Sequence, residues 1–72
     1  MSSAEKRLRA ALAVNVRRLR EERGLSVEEV AHRSKLHPRH WQKIEAGEVN
    51  VTIGTLAKLQ DVLGTSVVDL LR

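Results

Sequence analysis

The twenty residues from Ser26 to Glu45, SVEEVAHRSKLHPRHWQKIE, hold two helix-start signals eleven residues apart. Starts that close leave room for one short helix and one tight corner before a second helix begins. Ser26 with Glu29 three residues later is a capping box, in which hydroxyl and carboxylate each satisfy a backbone N–H that the helix start leaves unpaired. Val30, Ala31 and Val27 give the following helix its apolar side, and Leu36 is an apolar plug in the turn. The second start is His37-Pro38, since proline is tolerated where the N–H it lacks would be unpaired anyway. Trp41 and Ile44, three apart, form the buried stripe of this second helix. Its other face carries Arg39, His40, Gln42 and Lys43, all of them hydrogen-bond donors.

The flanking chain reads as scaffolding for this pair. From Ala4 to Arg23, Leu8, Leu12, Val16 and Leu19 recur at four- and three-residue steps, the stripe of one long helix. Ser2 and Glu5 offer it a weak cap. Gly24 ends it, because glycine accepts the left-handed conformation that a helix stop demands. Ala46-Gly47 is a second stop, and residues 48–51 form a loop. Thr52 caps a fourth helix with Ile53, Leu56, Leu59 and Leu63 as its buried stripe and Gly64 as its stop. Gly54 inside that helix weakens it by about 1 kcal/mol relative to alanine. Ser66 with Asp69 opens a short fifth helix. No segment alternates with period two for long enough to be a strand. The expected fold is all-α, one domain over residues 1–72, with helices near 4–23, 27–34, 38–46, 53–63 and 67–71.

Helix, corner, helix with a donor-rich exposed face is the plan of a helix-turn-helix. Charge follows that plan. The net charge is +4, yet residues 32–43 hold four Lys/Arg, all three histidines and no acid, while residues 21–31 sum to −3. Residues 1–20 carry six Lys/Arg against one Glu, and residues 44–72 sum to −2. Concentrated positive charge on the second helix and its lead-in is the footprint of a phosphate-binding surface, although charged helix faces are commonly only solvated. With no cysteine, neither a disulfide framework nor a thiolate metal site can form. The charged amino end and the lack of any membrane-length apolar run predict a soluble, cytoplasmic protein that meets no membrane.

Other chemistries fit the residues less well. Trp41 falls on the Leu36/Ile44 side and so belongs to the core rather than to a stacking platform. His37 and His40 are three apart, but no further ligand accompanies them, so no metal and no cofactor is expected. Both read better as donors to phosphate, with His32 a solvated partner of Glu28 one turn earlier. No nucleophile, base and acid can be assembled, so no catalytic residues are expected.

These residues resemble the lambda-repressor-like, Xre-type helix-turn-helix proteins over roughly Leu12 to Leu71. LREERGLSVEEVA is similar to the family's lead-in and second helix, and IEAGEVNVTIGTLAKLQDVLGTSVVDLL to its third-helix exit, loop and last two helices. In size and loop the chain looks most like the small controller proteins of restriction-modification systems. The resemblance implies that the third helix lies in the major groove of double-stranded DNA, with Pro38, Arg39, Gln42 and Lys43 at or near base edges. It also implies that Ser26, at the start of the second helix, sits on a phosphate, with His37, His40 and Asn50 as further DNA contacts. It implies, too, that Arg20 pairs with Glu45. The chain departs from the family at Val27, where glutamine is usual, at Lys35, where the turn has glycine, at His37, where the cap is Ser or Thr, and at Glu48, where the loop is often basic. Three of these changes remove or repel phosphate contacts, and Lys35 does not favour positive φ.

The expected function is therefore a sequence-specific transcriptional regulator acting as a homodimer on a near-palindromic operator. Val49, Val51, Val62, Val68 and Leu71 are apolar beyond what the core stripes need and are expected to form one exposed dimer patch. The alternative is a protein-interaction module, an antitoxin or anti-activator, that keeps the fold but binds a protein partner. The missing glutamine and the acidic loop favour that alternative.

Overall fold

Each helix begins where a side-chain oxygen or ring nitrogen accepts a first-turn N–H. In the computed structural model, which describes residues 2–72, Ser2 Oγ accepts from the Glu5 N–H at 3.0 Å and opens α1 (Ser3–Glu22). Ser26 and Glu29 form the full capping box of α2 (Val27–Ser34), at 3.0 and 3.1 Å. His37 Nδ1 accepts from the Arg39 N–H at 3.1 Å at the head of α3 (Pro38–Glu45). Thr52 caps α4 (Ile53–Leu63), and Ser66 caps α5 (Val67–Leu71). The described residues contain no strand, so the chain is all-α, and none of its helices is long and apolar enough to cross a membrane.

The first four helices stop alike. An N–H two or three residues past each helix bonds back across a left-handed residue: Leu25 to the Arg20 carbonyl, Leu36 to Ala31, Glu48 to Lys43 and Thr65 to Gln60, at 3.0 to 3.2 Å. Three of the four left-handed positions are Gly24, Gly47 and Gly64, and the fourth is Lys35 at φ 60°. The lysine is thus forced into the conformation it disfavours, held by the turn that joins α2 to α3.

α1 is the spine, packed against α3, α5 and α4, while α2 lies on α3 and α4. The core consists of Leu12, Val16 and Leu19 from α1, Val30 and Ala31 from α2, Trp41 and Ile44 from α3, Leu59 and Leu63 from α4, and Leu70 from α5. Trp41 has no solvent exposure at all, so its truncation to alanine would cost about 3–5 kcal/mol. Two stripe residues behave otherwise than periodicity predicts. Leu8 is 47% exposed and Ile53 is 85% exposed. Periodicity picks the row of a helix but not how far along it neighbours extend. The 20-residue α1 is about 30 Å long against a molecule 32 Å in its longest dimension, so its first turns outrun their cover. Ile53 is the first residue of α4 and sits at the rim.

Side chains tie the carboxyl end of the chain to α1 and α4. Asn15 Nδ2 on α1 donates to the Leu70 and Arg72 carbonyls at 2.9 and 3.3 Å, closing the end of α5. Gln60 Oε1 accepts the Val67 N–H at 3.0 Å. Buried Ser34 turns its hydroxyl back onto the Val30 carbonyl at 2.7 Å. Among the described residues no buried side-chain polar atom lacks a partner.

Candidate nucleic-acid interface

The position of α3 is set at its carboxyl end. Glu45 accepts three N–H groups: Arg20 Nε at 2.6 Å, Arg20 Nη2 at 3.0 Å and Trp41 Nε1 at 2.6 Å. Arg20 Nη1 donates to the Leu25 carbonyl at 2.9 Å, so one guanidinium ties α1, the α1–α2 corner and α3 together. Both side chains are nearly buried, with 13% and 10% exposure. Burial pushes the Glu45 carboxyl up, but the Arg20 guanidinium and the Trp41 indole N–H outweigh it and hold the carboxyl below the usual carboxylate range. The bond to Glu45 likewise raises Arg20 against the effect of burial.

With Trp41 and Ile44 turned inward, Arg39, Gln42 and Lys43 are left exposed and His40 partly so. Arg39, Gln42 and Lys43 line one shallow groove with Ala46 and Glu48. Five donors of one guanidinium, an ammonium and an amide thus face outward together, with Glu48 the one acid at their edge. A surface of that kind matches base-edge acceptors and phosphate oxygens in a duplex groove. At the head of the helix His37 uses Nδ1 as the cap, which leaves only Nε2 for any outside partner. No three His, Asp or Glu side chains among the described residues cluster as a metal site.

Two other candidate contacts are already engaged. The Ser26 N–H is donated to Glu29 Oε1, and that bond foremost holds the exposed Glu29 carboxyl below its usual range. Glu28 and Glu29 fill the first turn of α2, so its helix start carries its own anions. Asn50 in the α3–α4 loop accepts Arg9 Nε at 2.9 Å on its carboxamide oxygen, with Arg9 Nη2 on the same oxygen. Arg9 and Asn50 are 41 residues apart, and no local pattern in the sequence connects them.

The apolar residues expected in one exposed patch are divided. Val49, Val51, Val62 and Leu71 are half-buried against the core, and only Val68 is largely exposed, at 68%. Val49, Val51 and Leu71 line a cleft with Leu8, Leu12 and Leu56, whereas Val62 lines a separate hollow with Arg33 and Lys58. The loop and the carboxyl end do draw apolar side chains together, but Val62 belongs to the other side of α4.

A small all-α domain that presents a donor-bearing second helix across a capped corner is a helix-turn-helix protein. Residues 11–72 match the family model described as "Helix-turn-helix domain". The chain is 40% identical over 63 residues to the uncharacterized HTH-type transcriptional regulator y4dJ of Sinorhizobium fredii, covering 88% of this chain and 82% of that protein. It is 45% identical over 60 residues to the control protein C.SmaI of Serratia marcescens, covering 83% of this chain and 71% of the other. Its fold is similar to the crystal structure of the restriction-modification controller protein C.AhdI of Aeromonas hydrophila, with a TM-score of 0.81, 29% identity, and coverage of 86% and 94%. The chain belongs to the Xre-type helix-turn-helix family of transcriptional regulators.

Proposed function

We propose that this chain is a cytoplasmic transcriptional regulator that binds a near-palindromic operator in double-stranded DNA as a homodimer, with α3 in the major groove. The observation that carries this reading is the exposed face of Arg39, Gln42 and Lys43 on a helix locked to the core by Glu45. At eight residues α3 is about 12 Å long, close to the width of the major groove, about 12 Å. Arg39, in the first turn, is the residue assigned to guanine O6 and N7, and Lys43, one turn on, to a base or the backbone. Pro38 fixes the helix start but has no donor to offer. Dimerisation through Val68 and the neighbouring Leu71 would set two α3 helices about 34 Å apart, one turn of DNA.

Selection of bound sites from random duplexes with the purified protein tests the reading: a two-fold-related site supports it, and no enriched site overturns it. Val68→Glu should sediment as a monomer where the unaltered chain sediments as a dimer. An unchanged assembly state would move the contact elsewhere. The engaged, acidic start of α2 favours a second reading, a module that binds a protein partner instead. Affinity for DNA that falls steeply with salt supports the first reading, and salt-insensitive binding to a protein supports the second.

A further inference from the structure

Arg9 lies outside α3, yet its guanidinium grips the loop that follows α3. Nε and Nη2 both donate to Asn50 Oδ1, so the oxygen end of the carboxamide must face Arg9 and the NH2 end must face away. The loop is close to α1 at the same place. A Cβ at Gly47 would lie 3.8 Å from Ala13 Cβ and 3.9 Å from the Arg9 carbonyl oxygen, and Lys6, Arg9, Ala46 and Gly47 line one hollow there. Lys6, Arg9 and the Asn50 amide are thus grouped beside the carboxyl end of α3, at the opposite end from Arg39. Among the described ion pairs only Glu5, at 3.6 Å, offsets the Arg9 charge.

Resting on the reading of α3 as a groove helix, we propose that Arg9 is a positioning residue that holds Asn50 as a phosphate donor at the far wall of the major groove. A helix about as long as the groove is wide places its far end beside the strand that bounds the groove. There the Asn50 NH2, aimed by Arg9, meets a phosphate oxygen, with Lys6 and the remaining Arg9 donors adding positive charge. The contact fixes register and carries no sequence information. It also provides an anchor that the engaged start of α2 does not.

The test is a set of variants titrated on the selected duplex, with thermal unfolding as a check on the fold. Arg9→Lys keeps the charge but loses the two-pronged grip, and should weaken binding about tenfold, matched and scrambled sites alike. In an Asn50→Ala background the same change should have almost no effect. Asn50→Asp separates aiming from tethering, because it keeps an acceptor for Arg9 and removes the outward donor. It should bind at least as weakly as Asn50→Ala. If Asn50→Asp binds like the unaltered chain, or Arg9→Lys acts equally with and without Asn50, Arg9 merely pins the loop and the proposal is wrong. If the unaltered chain selects no duplex at all, the groove reading itself falls, and this proposal with it.

Discussion

At its carboxyl end α3 is held by a nearly buried carboxylate that accepts three N–H groups, whereas at its amino end one exposed imidazole closes the helix and Arg39 faces solvent. The first end is dry, charged and matched; the second is wet and open. A rigid anchor lets the open end stay unsatisfied until a ligand arrives, because the cost of orienting α3 has been met within the fold. On the proposed reading, stability and recognition fall to different turns of one eight-residue helix.

The largest effect should come from breaking the closed end. Glu45→Ala leaves the Arg20 guanidinium and the Trp41 N–H without their acceptor in a nearly buried site, and should cost about 2–4 kcal/mol in chemical denaturation. A change near zero would show that the pair is held in place by the fold and does not hold it. The same carboxylate gives stability a pH dependence of known sign. Its folded pKa is depressed, so its contribution is complete above the unfolded value, near about 4.3, and is lost as pH falls through the lower folded value. Unfolding midpoints of the unaltered chain should therefore drop more steeply below about pH 4.3 than those of Glu45→Gln. Parallel curves would remove Glu45 from the account of acid sensitivity.

At the open end stability should barely change while DNA affinity does. Arg39→Ala should cost about 1–3 kcal/mol on the selected duplex and relax the preference at one base pair in each half-site. Lys43→Ala should weaken all sequences alike and reduce the salt slope by about one unit if it neutralises a phosphate. Titrating both on matched and scrambled duplexes at several salt concentrations decides between the roles. Equal losses on every sequence for Arg39→Ala would make it a backbone contact.

The same two ends show what was legible in the sequence. Caps, stops and stripes depend on neighbours a few residues apart, so the five helices and the inward side of α3 follow from spacing. Helix ends moved by a single residue, to Ser3–Glu22 for α1 and Glu45 for α3. The Arg20–Glu45 pair came from likeness to a family, since nothing local joins residues 25 apart. Contacts with no such precedent stayed hidden, among them Arg9 on Asn50 and Asn15 on the end of α5. Leu8 and Ile53 show the converse limit, apolar by row yet exposed by position. The Ser26 N–H and the Asn50 carboxamide oxygen already have partners within the fold, and a sequence does not record which donors and acceptors a fold uses for itself.

The smallest effect concerns the corner that delivers α3. Gly24, Gly47 and Gly64 meet their positive φ at 64°, 72° and 60°, and Lys35 does the same at 60° with a side chain attached. For a residue with a Cβ the left-handed conformation costs about 1–2 kcal/mol. Glycine removes that cost but loses about 0.5–1 kcal/mol more backbone entropy on folding. Lys35→Gly should therefore stabilise the chain by about 1 kcal/mol or less. Charge enters as well, because Lys35 lines one hollow with Arg33 and Lys58 and another with Glu28 and His37. Lys35→Ala removes the same charge while keeping the strained conformation, so the difference between the two variants isolates the backbone. Denaturation midpoints should rank Lys35→Gly above Lys35→Ala. If the alanine variant is equally stable, the turn bears no strain at Lys35, and the stop after α2 is as relaxed as the three built on glycine.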